Sequence, residues 1–99
     1  MTRVEGSKLK DPNAILEYGF DWGEDDWLES GETIASAVWT IPAGITKVSE
    51  TAGDEITQVV LSGGTAGETY IITCHVVTTG GSVEGREDDR SLEIIVEER

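Results

Sequence analysis

The chain has 99 residues, enough for one domain, and carries 20 acidic residues against 7 lysines and arginines, which gives a formal net charge of −13. This balance argues against a nucleic-acid partner, which needs a basic face, and against an anionic membrane surface, while it favours a basic protein partner. Hydrophobic residues make up 37% of the chain, so a core can form, but no apolar run approaches the ~20 residues of a membrane-spanning helix.

The predicted elements begin after a polar segment, residues 1–13, which contains Gly6 and the turn pair Asp11-Pro12. This segment has no apolar stretch of the kind found in secretory signals, and we interpret it as an extended N-terminal arm or a disordered tail. From residue 14 onwards, period-2 patterning and frequent turn residues predict short strands. The strands are predicted at residues 15–22, 33–41, 45–52, 55–62, 68–79 and 90–98.

Strand alternation assigns side chains to the two faces of each predicted strand. In strand 33–41 it places Trp39 inward with Ala35, Ala37 and Ile41, where the small alanines leave room for a large ring. The outward faces of the predicted strands carry four branched apolar residues, which are Ile34, Val38, Ile71 and Ile95.

These short strands, with turns between them and no convincing long helix, predict an all-β fold. Their spacing favours an immunoglobulin-like or fibronectin III-like β-sandwich of about seven strands. In this prediction residues 14–99 form the immunoglobulin-like β-sandwich domain, and residues 1–13 form the arm that precedes it. The single cysteine, Cys74, excludes an intrachain disulfide and leaves too few thiolates for a cysteine-built zinc site.

An acidic cluster follows the first predicted strand and consists of Asp21, Glu24, Asp25, Asp26 and Glu29. Clustered carboxylates are the oxygen ligands that Ca²⁺ prefers, but their spacing does not match an EF-hand loop. A solvated loop is therefore the favoured interpretation. A carbohydrate- or Ca²⁺-binding module that uses Trp22 or Trp27 beside this cluster is the least favoured alternative function.

The sequence contains no recognisable combination of catalytic residues. His75 is the only histidine, and its neighbour Cys74 points to the opposite face of the predicted strand, so the two cannot form a nucleophile–base pair. The glycine-rich stretch at residues 63–67 lacks the Lys-Ser/Thr that ends a phosphate-binding loop. We therefore assign no catalytic, cofactor-binding or metal-binding residues, and we expect a protein that is not an enzyme and needs no cofactor.

The candidate functional residues are those suited to protein contacts. If two or three of the outward residues Ile34, Val38, Ile71 and Ile95 adjoin, they form an apolar patch suited to a subunit interface. A charged loop predicted at residues 80–89 is the second candidate, since binding residues are common on such loops. Its candidate contact residues are Arg86, Glu87, Asp88 and Asp89.

Several stretches of the sequence resemble a known family. They are DPNAILEYGFDW with DWLESGETIASAVWTIPAGI, then VVLSGGTAGETYIITCHVVTT, then REDDRSLEIIVEER. Over about residues 11–99 the chain resembles a group of short virion proteins of tailed bacteriophages that are described as fibre–tail adaptor proteins. Within LSGGTAGETY, Tyr70 matches the tyrosine that packs at an inter-sheet corner in immunoglobulin-like and fibronectin III domains. The loop GGSVEGRE is longer than in the family's usual pattern.

The resemblance implies an immunoglobulin-like fold without catalytic activity, in a structural adaptor that joins the tail or neck to the tail fibres. The implied partners are other virion proteins, namely a tail, nozzle or portal-proximal protein and a tail fibre, in a symmetric multi-copy assembly with no nucleic acid and no membrane. The implied location is the tail or neck of the virion, assembled in the host bacterial cytoplasm. A capsid decoration or cement protein is the alternative, and the copy number per particle separates the two.

Overall fold

Seven β-strands make up the computed structural model, which describes residues 3–23, 27–80 and 85–98 and, for residues 3–5, only the backbone. The strands are β1 (Arg3–Lys10), β2 (Leu16–Asp21), β3 (Ile34–Thr40), β4 (Ile45–Ala52), β5 (Ile56–Gly63), β6 (Thr69–Thr78) and β7 (Glu87–Val96). The predicted all-β class is confirmed, since the described residues contain no helix. Accordingly, no helix in these ranges has the length and apolar character to cross a membrane.

The strands form two sheets that pack on each other as a sandwich around one core. The four-stranded sheet has the order β1-β7-β6-β3, and the three-stranded sheet has the order β2-β5-β4. Strand β1 runs parallel to β7, and the other pairs between described strands are antiparallel. If the strands are lettered A to G in chain order, B-E-D and C-F-G lie in separate sheets, as they do in immunoglobulin domains. The immunoglobulin-like type stays a prediction, which this grouping of strands supports.

Alternation along the strands builds the core, because every second side chain faces the opposite sheet. Phe20 of β2 stacks on Trp39 of β3 with ring centroids 5.7 Å apart, and it meets Trp22 edge-on at 6.0 Å. These rings join the two sheets, and the burial of each such apolar side chain stabilises the fold by ~1.5–3 kcal/mol. The predicted inward orientation of Trp39 is confirmed. Other fully buried apolar side chains are Val59, Leu61, Ile72, Cys74, Val76, Ile94 and Val96.

A β-bulge at the start of β3 overturns the predicted orientation of Ile34. Ile34 pairs with Thr78, but Ser36 pairs with Val77, so Ala35 is an extra residue in the strand. The bulge turns Ile34 inward, where it is only 9% exposed, and leaves Ala35 exposed. The predicted outward orientation of Ile34 and the predicted inward orientation of Ala35 are therefore wrong, whereas the alternation beyond the bulge holds.

Strand β7 begins at Glu87 rather than at residue 90. The three acidic residues Glu87, Asp88 and Asp89 pair with β6 and do not belong to the predicted charged loop. Glu87 and Asp89 can lie in a strand because alternation places their side chains on the outer face, where His75 contacts both. Of the predicted loop 80–89, residues 81–84 lie outside the described residues.

The N-terminal segment contains strand β1, which pairs with β7 from Arg3 to Lys10. The Lys10 side chain is fully buried, and its ammonium donates hydrogen bonds to the carbonyls of Asp11 at 3.0 Å, Ala14 at 2.6 Å and Gly63 at 2.7 Å. Burial lowers the pKa of Lys10, but the three carbonyls satisfy all three N–H groups of its charged form. These bonds anchor the end of β1 to the sandwich. The domain boundary at residue 13 stays a prediction.

Tyr70 lies at the start of β6, where the sequence predicts an inter-sheet corner. Its ring is buried, and its hydroxyl accepts a hydrogen bond of 3.0 Å from the backbone N–H of Thr65. Gly44, with a φ of +100°, leaves space for this ring, since a Cβ at Gly44 would lie 3.0 Å from Tyr70 Cε1. The tyrosine therefore packs the β5–β6 turn against the β3–β4 turn, as in an immunoglobulin-like corner.

Candidate functional site

The outer face of the four-stranded sheet carries an apolar patch formed by Leu9, Ile71 and Ile95. Leu9 of β1 lies opposite Ile95 of β7, and Ile95 lies opposite Thr69, two residues before Ile71 on β6. Leu9 is 45% exposed and Ile71 is 42% exposed, with the half-buried Ile95 on the strand between them. Diagonal neighbours on adjacent strands lie within reach of such side chains, so the three residues form one surface.

The sequence identifies two of the three residues in this apolar patch. Ile71 and Ile95 adjoin, and adjoining outward apolar residues are what the predicted contact surface requires. The sequence does not identify Leu9 as a contact residue, because the polar segment around it shows no strand alternation. Ile34 cannot contribute, since it is buried in the core.

Val38 is exposed as predicted but lies apart from the apolar patch. It is 59% exposed on β3, which is an edge strand of its sheet, and it lies opposite His75 of β6. The pair formed by Thr40 and Thr73 separates it from Ile71 along the strands. Val38 and the apolar patch are thus two separate apolar points on the same outer face.

His75 lies beside Val38 and between two carboxylates. Its Nδ1 is 2.5 Å from Asp89 Oδ1, and its Nε2 is 2.9 Å from Glu87 Oε1. The hydrogen bond with Asp89, and then that with Glu87, raises the pKa of His75 because both carboxylates favour the imidazolium. The two ring nitrogens point to different carboxylates, so these three side chains do not converge on a common point where an ion could bind.

Cys74 faces the core from the same strand. Its thiol is fully buried and lies 3.5 Å from the hydroxyl of Thr57. Burial raises the pKa of Cys74 to about 11, so the thiol stays protonated at neutral pH. The predicted separation of Cys74 and His75 onto opposite faces is confirmed, and the two do not form a nucleophile–base pair.

Arg86, just before β7, contacts residues of the connection between β2 and β3. Its guanidinium lies over the Trp27 ring, 4.6 Å from the centroid, and Nη2 donates to the Trp27 carbonyl at 2.6 Å. Nε donates to Glu32 Oε2 at 3.0 Å, and Nη2 also donates to Glu32 Oε1. The same buried carboxylate accepts hydrogen bonds from the Thr78 hydroxyl at 2.5 Å and from the Glu29 N–H at 2.9 Å.

These hydrogen bonds determine the ionisation of Glu32. They lower its pKa to about 2, with the largest effect from Arg86, followed by the N–H of Glu29 and the hydroxyl of Thr78. Arg86, a predicted partner-contact residue, therefore has its guanidinium bound inside the chain. A partner contact through Arg86 stays a prediction, as it does for the three acidic residues that follow it.

An acidic cleft of about 460 Å³ opens beside Glu32. Its carboxylates are those of Glu29, Glu32, Asp54 and Glu55. Arg86 already neutralises Glu32, and within the described ranges no group of three or more acidic, histidine or cysteine side chains is arranged to hold a metal ion. Of the acidic cluster in the sequence, residues 24–26 lie outside the described residues, so a Ca²⁺ site there stays untested.

Comparison with known proteins identifies the family. Residues 10–95 match the model of a family described as Podophage GP4 fiber-tail adaptor protein gp77. In structure, the chain is similar to the cysteine protease inhibitor EhICP2 from Entamoeba histolytica, with a TM-score of 0.50 and 14% identity over 95% of this chain and 91% of that chain. At this identity the likeness concerns the fold alone. A search of curated proteins gives no match. Because the family match covers nearly the whole chain, the protein belongs to the podophage GP4 fiber-tail adaptor family, gp77.

Proposed function

We propose that this protein is a structural, non-enzymatic adaptor in a podophage virion, where it joins the tail or neck to the tail fibres. The observation that carries the proposal is the match of residues 10–95 to a fiber-tail adaptor family. An adaptor needs contact surfaces on a rigid body. A sandwich whose two sheets are joined by stacked aromatic rings is such a body.

The apolar patch of Leu9, Ile71 and Ile95 is the first contact surface in this proposal. Two of its side chains are more than two-fifths exposed, although they lie on regular strands that could have carried polar residues. Burial of adjoining apolar side chains against another protein is favourable by ~25 cal/mol per Å² of apolar area. The patch is therefore suited to a neighbouring virion protein.

The second contact surface lies about 13 Å further along β6, around His75. It combines the exposed Val38 with the carboxylates of Glu87 and Asp89 on the same face. These residues carry more negative than positive charge, in agreement with the net charge of −13 of the whole chain. Such a surface fits a partner with basic residues around an apolar contact.

The environment of the two most reactive side chains supports a function without catalysis. Cys74 is buried with a raised pKa, which keeps it in the unreactive thiol form. Both ring nitrogens of His75 are held by the carboxylates of Asp89 and Glu87 on the outer face of the sheet, whereas Cys74 faces the core. Neither residue is placed to act as a nucleophile with a neighbouring base.

Immunogold labelling of purified virions, combined with quantitative mass spectrometry, tests this function. An adaptor in a symmetric tail gives label at the tail and from a few to about a dozen copies per particle. Label over the head with hundreds of copies would show a decoration protein and overturn the proposal.

A pair of surface variants tests the contact surface separately. Leu9→Glu with Ile71→Glu places two charges in the apolar patch, and we expect particles that no longer incorporate the protein. Val48→Glu with Ile56→Glu is the matched control, because these two residues are similarly exposed on the three-stranded sheet. Equal incorporation of both double variants would show that the apolar patch is not a contact surface.

A further inference from the structure

A groove of about 320 Å³ runs between strands β1 and β2, along one side of the sandwich. Its walls include Gly6 and Lys8 of β1, Gly19 and Asp21 of β2, and Arg90 and Leu92 of β7. Both β1 and β2 are edge strands, and among the described strands none pairs with their outer edges. An edge strand presents backbone N–H and C=O groups to which another extended segment can bind.

Arg90 is the chemically distinctive residue in this groove. It is only 8% exposed, and its Nε is buried without a hydrogen-bond partner among the described residues. Its guanidinium lies over the Trp22 ring, 4.2 Å from the centroid, and over the Trp27 ring at 5.7 Å. Stacking on aromatic faces supports the positive charge but supplies no hydrogen-bond acceptor.

Comparison with Arg86 shows what Arg90 lacks. Arg86 also lies over Trp27, but its N–H groups are bound by the carboxylate of Glu32 and by a backbone carbonyl. A buried N–H group without an acceptor is unfavourable, because it loses hydration without gaining a hydrogen bond. The Nε–H of Arg90 therefore lacks an acceptor among the described residues, and a carboxylate is the acceptor that a guanidinium binds best, through two parallel hydrogen bonds.

The charge of the groove also favours an anionic group. Lys8 is exposed on its rim and forms no ion pair with the described residues. Asp21, on the opposite rim, accepts a hydrogen bond of 2.9 Å from the N–H of Gly23. The groove thus has two basic residues and one acidic residue, in a chain that has 7 basic and 20 acidic residues.

The shape of the groove suits an extended peptide. Gly6 lies beside a register shift in β1, where the strand projects no side chain into the groove. Gly19 of β2 also lines the groove, but a Cβ there would overlap the carbonyl oxygen of Thr57, so this glycine is required by packing against β5. At Gly6 the space is open, since an added Cβ would meet no atom within 4 Å. The absence of a side chain at Gly6 leaves backbone accessible on the β1 wall of the groove, which Arg90 also lines.

We propose that this groove binds an extended acidic segment of a neighbouring virion protein. The backbone of that segment pairs with the outer edge of β1 or β2, and one of its aspartate or glutamate side chains binds the guanidinium of Arg90. The identity of the partner as a virion protein rests on the proposed adaptor function. The chemistry of the groove rests on Arg90, the edge strands and the open space at Gly6.

A peptide titration of the purified protein tests the inference without any virion. The probes are acetyl-Thr-Val-Glu-Val-Thr-amide and the same peptide with glutamine in place of glutamate, followed by ¹⁵N NMR of the backbone amides and of the arginine Nε–H groups. We expect the glutamate peptide to shift the Nε–H signal of Arg90 and the amides of Gly6 and Gly19. The glutamine peptide is expected to bind at least about tenfold more weakly.

Two variants with different structural consequences support the titration. Arg90→Met keeps an unbranched stem against Trp22 but removes the guanidinium, and Gly6→Leu fills open space in the groove. Each is expected to weaken binding of the glutamate peptide by about tenfold or more. Ser49→Leu, an exposed position on the edge strand β4, is the matched control for Gly6→Leu and is expected to bind normally.

Several results would overturn the inference. They are equal binding of the two peptides, no binding of either at millimolar concentration, or shifts confined to residues outside the groove. Equal responses to the peptide and to acetate or inorganic phosphate alone would show a site for free anions rather than for a peptide segment. Because the titration uses no virion, its result is independent of where the protein lies in the particle.

Discussion

Arg86 and Glu32 form a hydrogen-bonded ion pair in which the carboxylate is buried and the guanidinium is stacked on Trp27. The pair joins residues that are 54 positions apart in the sequence and so fastens the β2–β3 connection to the start of β7. Removal of Arg86 leaves the buried carboxylate of Glu32 without its partner, which is more damaging than the absence of both charges.

Glu32 is expected to control part of the acid stability of the protein. A carboxyl whose pKa is lower in the folded state stabilises the fold above its unfolded pKa, and this stability is lost as pH falls through the folded pKa. For Glu32 the window runs from about 4.5 down to about 2. We expect the free energy of unfolding, measured with urea, to fall across this window in the wild type and to fall less steeply in Glu32→Gln.

The control for this prediction is Glu17→Gln, which alters an exposed carboxylate on β2. We expect this variant to keep the pH dependence of the wild type. At neutral pH, Glu32→Gln is expected to be less stable than the wild type, because Arg86 then lacks its counter-charge. A wild-type pH slope in Glu32→Gln would show that the pair does not govern acid stability.

The sequence predicts those strands in which apolar alternation runs between turn residues. Strand β4 occupies the predicted residues, and the predicted bounds of β2, β5 and β6 differ from the structure by one residue at each end. The Tyr70 corner follows from its glycine-rich turn. In these segments the local pattern and the tertiary fold favour the same conformation.

Other features could not be read from local pattern because tertiary contacts create them. Strand β1 is polar, and it is held by pairing with β7 and by the buried Lys10. The bulge at Ala35 contains no glycine or proline, so the sequence carries no sign of the change of face. The charged start of β7 has the composition of a loop. It is stable as a strand because His75, on a different strand, contacts Asp89 and Glu87.

The candidate sites show the same division between local and tertiary information. Ile71 and Ile95 follow from alternation alone, whereas Leu9 joins them only through the β1–β7 pairing. Arg90 is one of several charges in a charged stretch of the sequence. Its burial against Trp22 becomes visible only when β2 and β7 are placed in opposite sheets.

His75 is expected to titrate above the usual range of a histidine. Its pKa is raised from the ordinary 6.5, so its contribution to stability is complete below that pH and is lost as pH rises through the raised value. We expect ¹H–¹³C NMR of the ring to show the raised pKa in the wild type. Asp89→Asn is expected to lower the pKa of His75 more than Glu87→Gln does, since Asp89 has the larger effect. An unchanged pKa in Asp89→Asn would contradict this account.

Trp39 is expected to tolerate phenylalanine far better than alanine. Trp39→Ala removes the ring that stacks on Phe20 and is expected to lower the free energy of unfolding by ~3–5 kcal/mol. Trp39→Phe keeps a ring there and removes a buried indole N–H that has no hydrogen-bond partner in the described structure, a group whose burial costs ~1–3 kcal/mol. We therefore expect urea unfolding to place Trp39→Phe within ~1 kcal/mol of the wild type.

Trp22→Phe is the matched comparison for Trp39→Phe. The Trp22 indole N–H donates a hydrogen bond of 2.9 Å to the hydroxyl of the buried Thr57. The same chemical change thus removes a satisfied group at Trp22 and an unsatisfied one at Trp39. We expect Trp22→Phe to be less stable than Trp39→Phe by ~1–3 kcal/mol, and equal losses would show that indole hydrogen bonding does not decide the difference.

Lys10 is expected to anchor strand β1 through its ammonium group. Lys10→Met keeps a long unbranched side chain but leaves the carbonyls of Asp11, Ala14 and Gly63 without this donor. These hydrogen bonds are partly buried and come from a charged donor, and each such bond contributes ~1.5–3 kcal/mol, so we expect a clear loss of stability in urea unfolding. Hydrogen exchange of the β1 amides, including that of Leu9, is expected to become faster because the strand opens more often.

Lys8→Met provides the matched control, since Lys8 lies on the same strand but is exposed. It removes the same charge from the chain without removing the donor from the carbonyls of Asp11, Ala14 and Gly63. Stability and β1 exchange in this variant are expected to stay near those of the wild type, because substitutions at exposed positions usually change stability by no more than ~0.5 kcal/mol. If the two methionine variants behave alike, net charge rather than the three carbonyl bonds accounts for the effect, and Lys10 does not anchor β1.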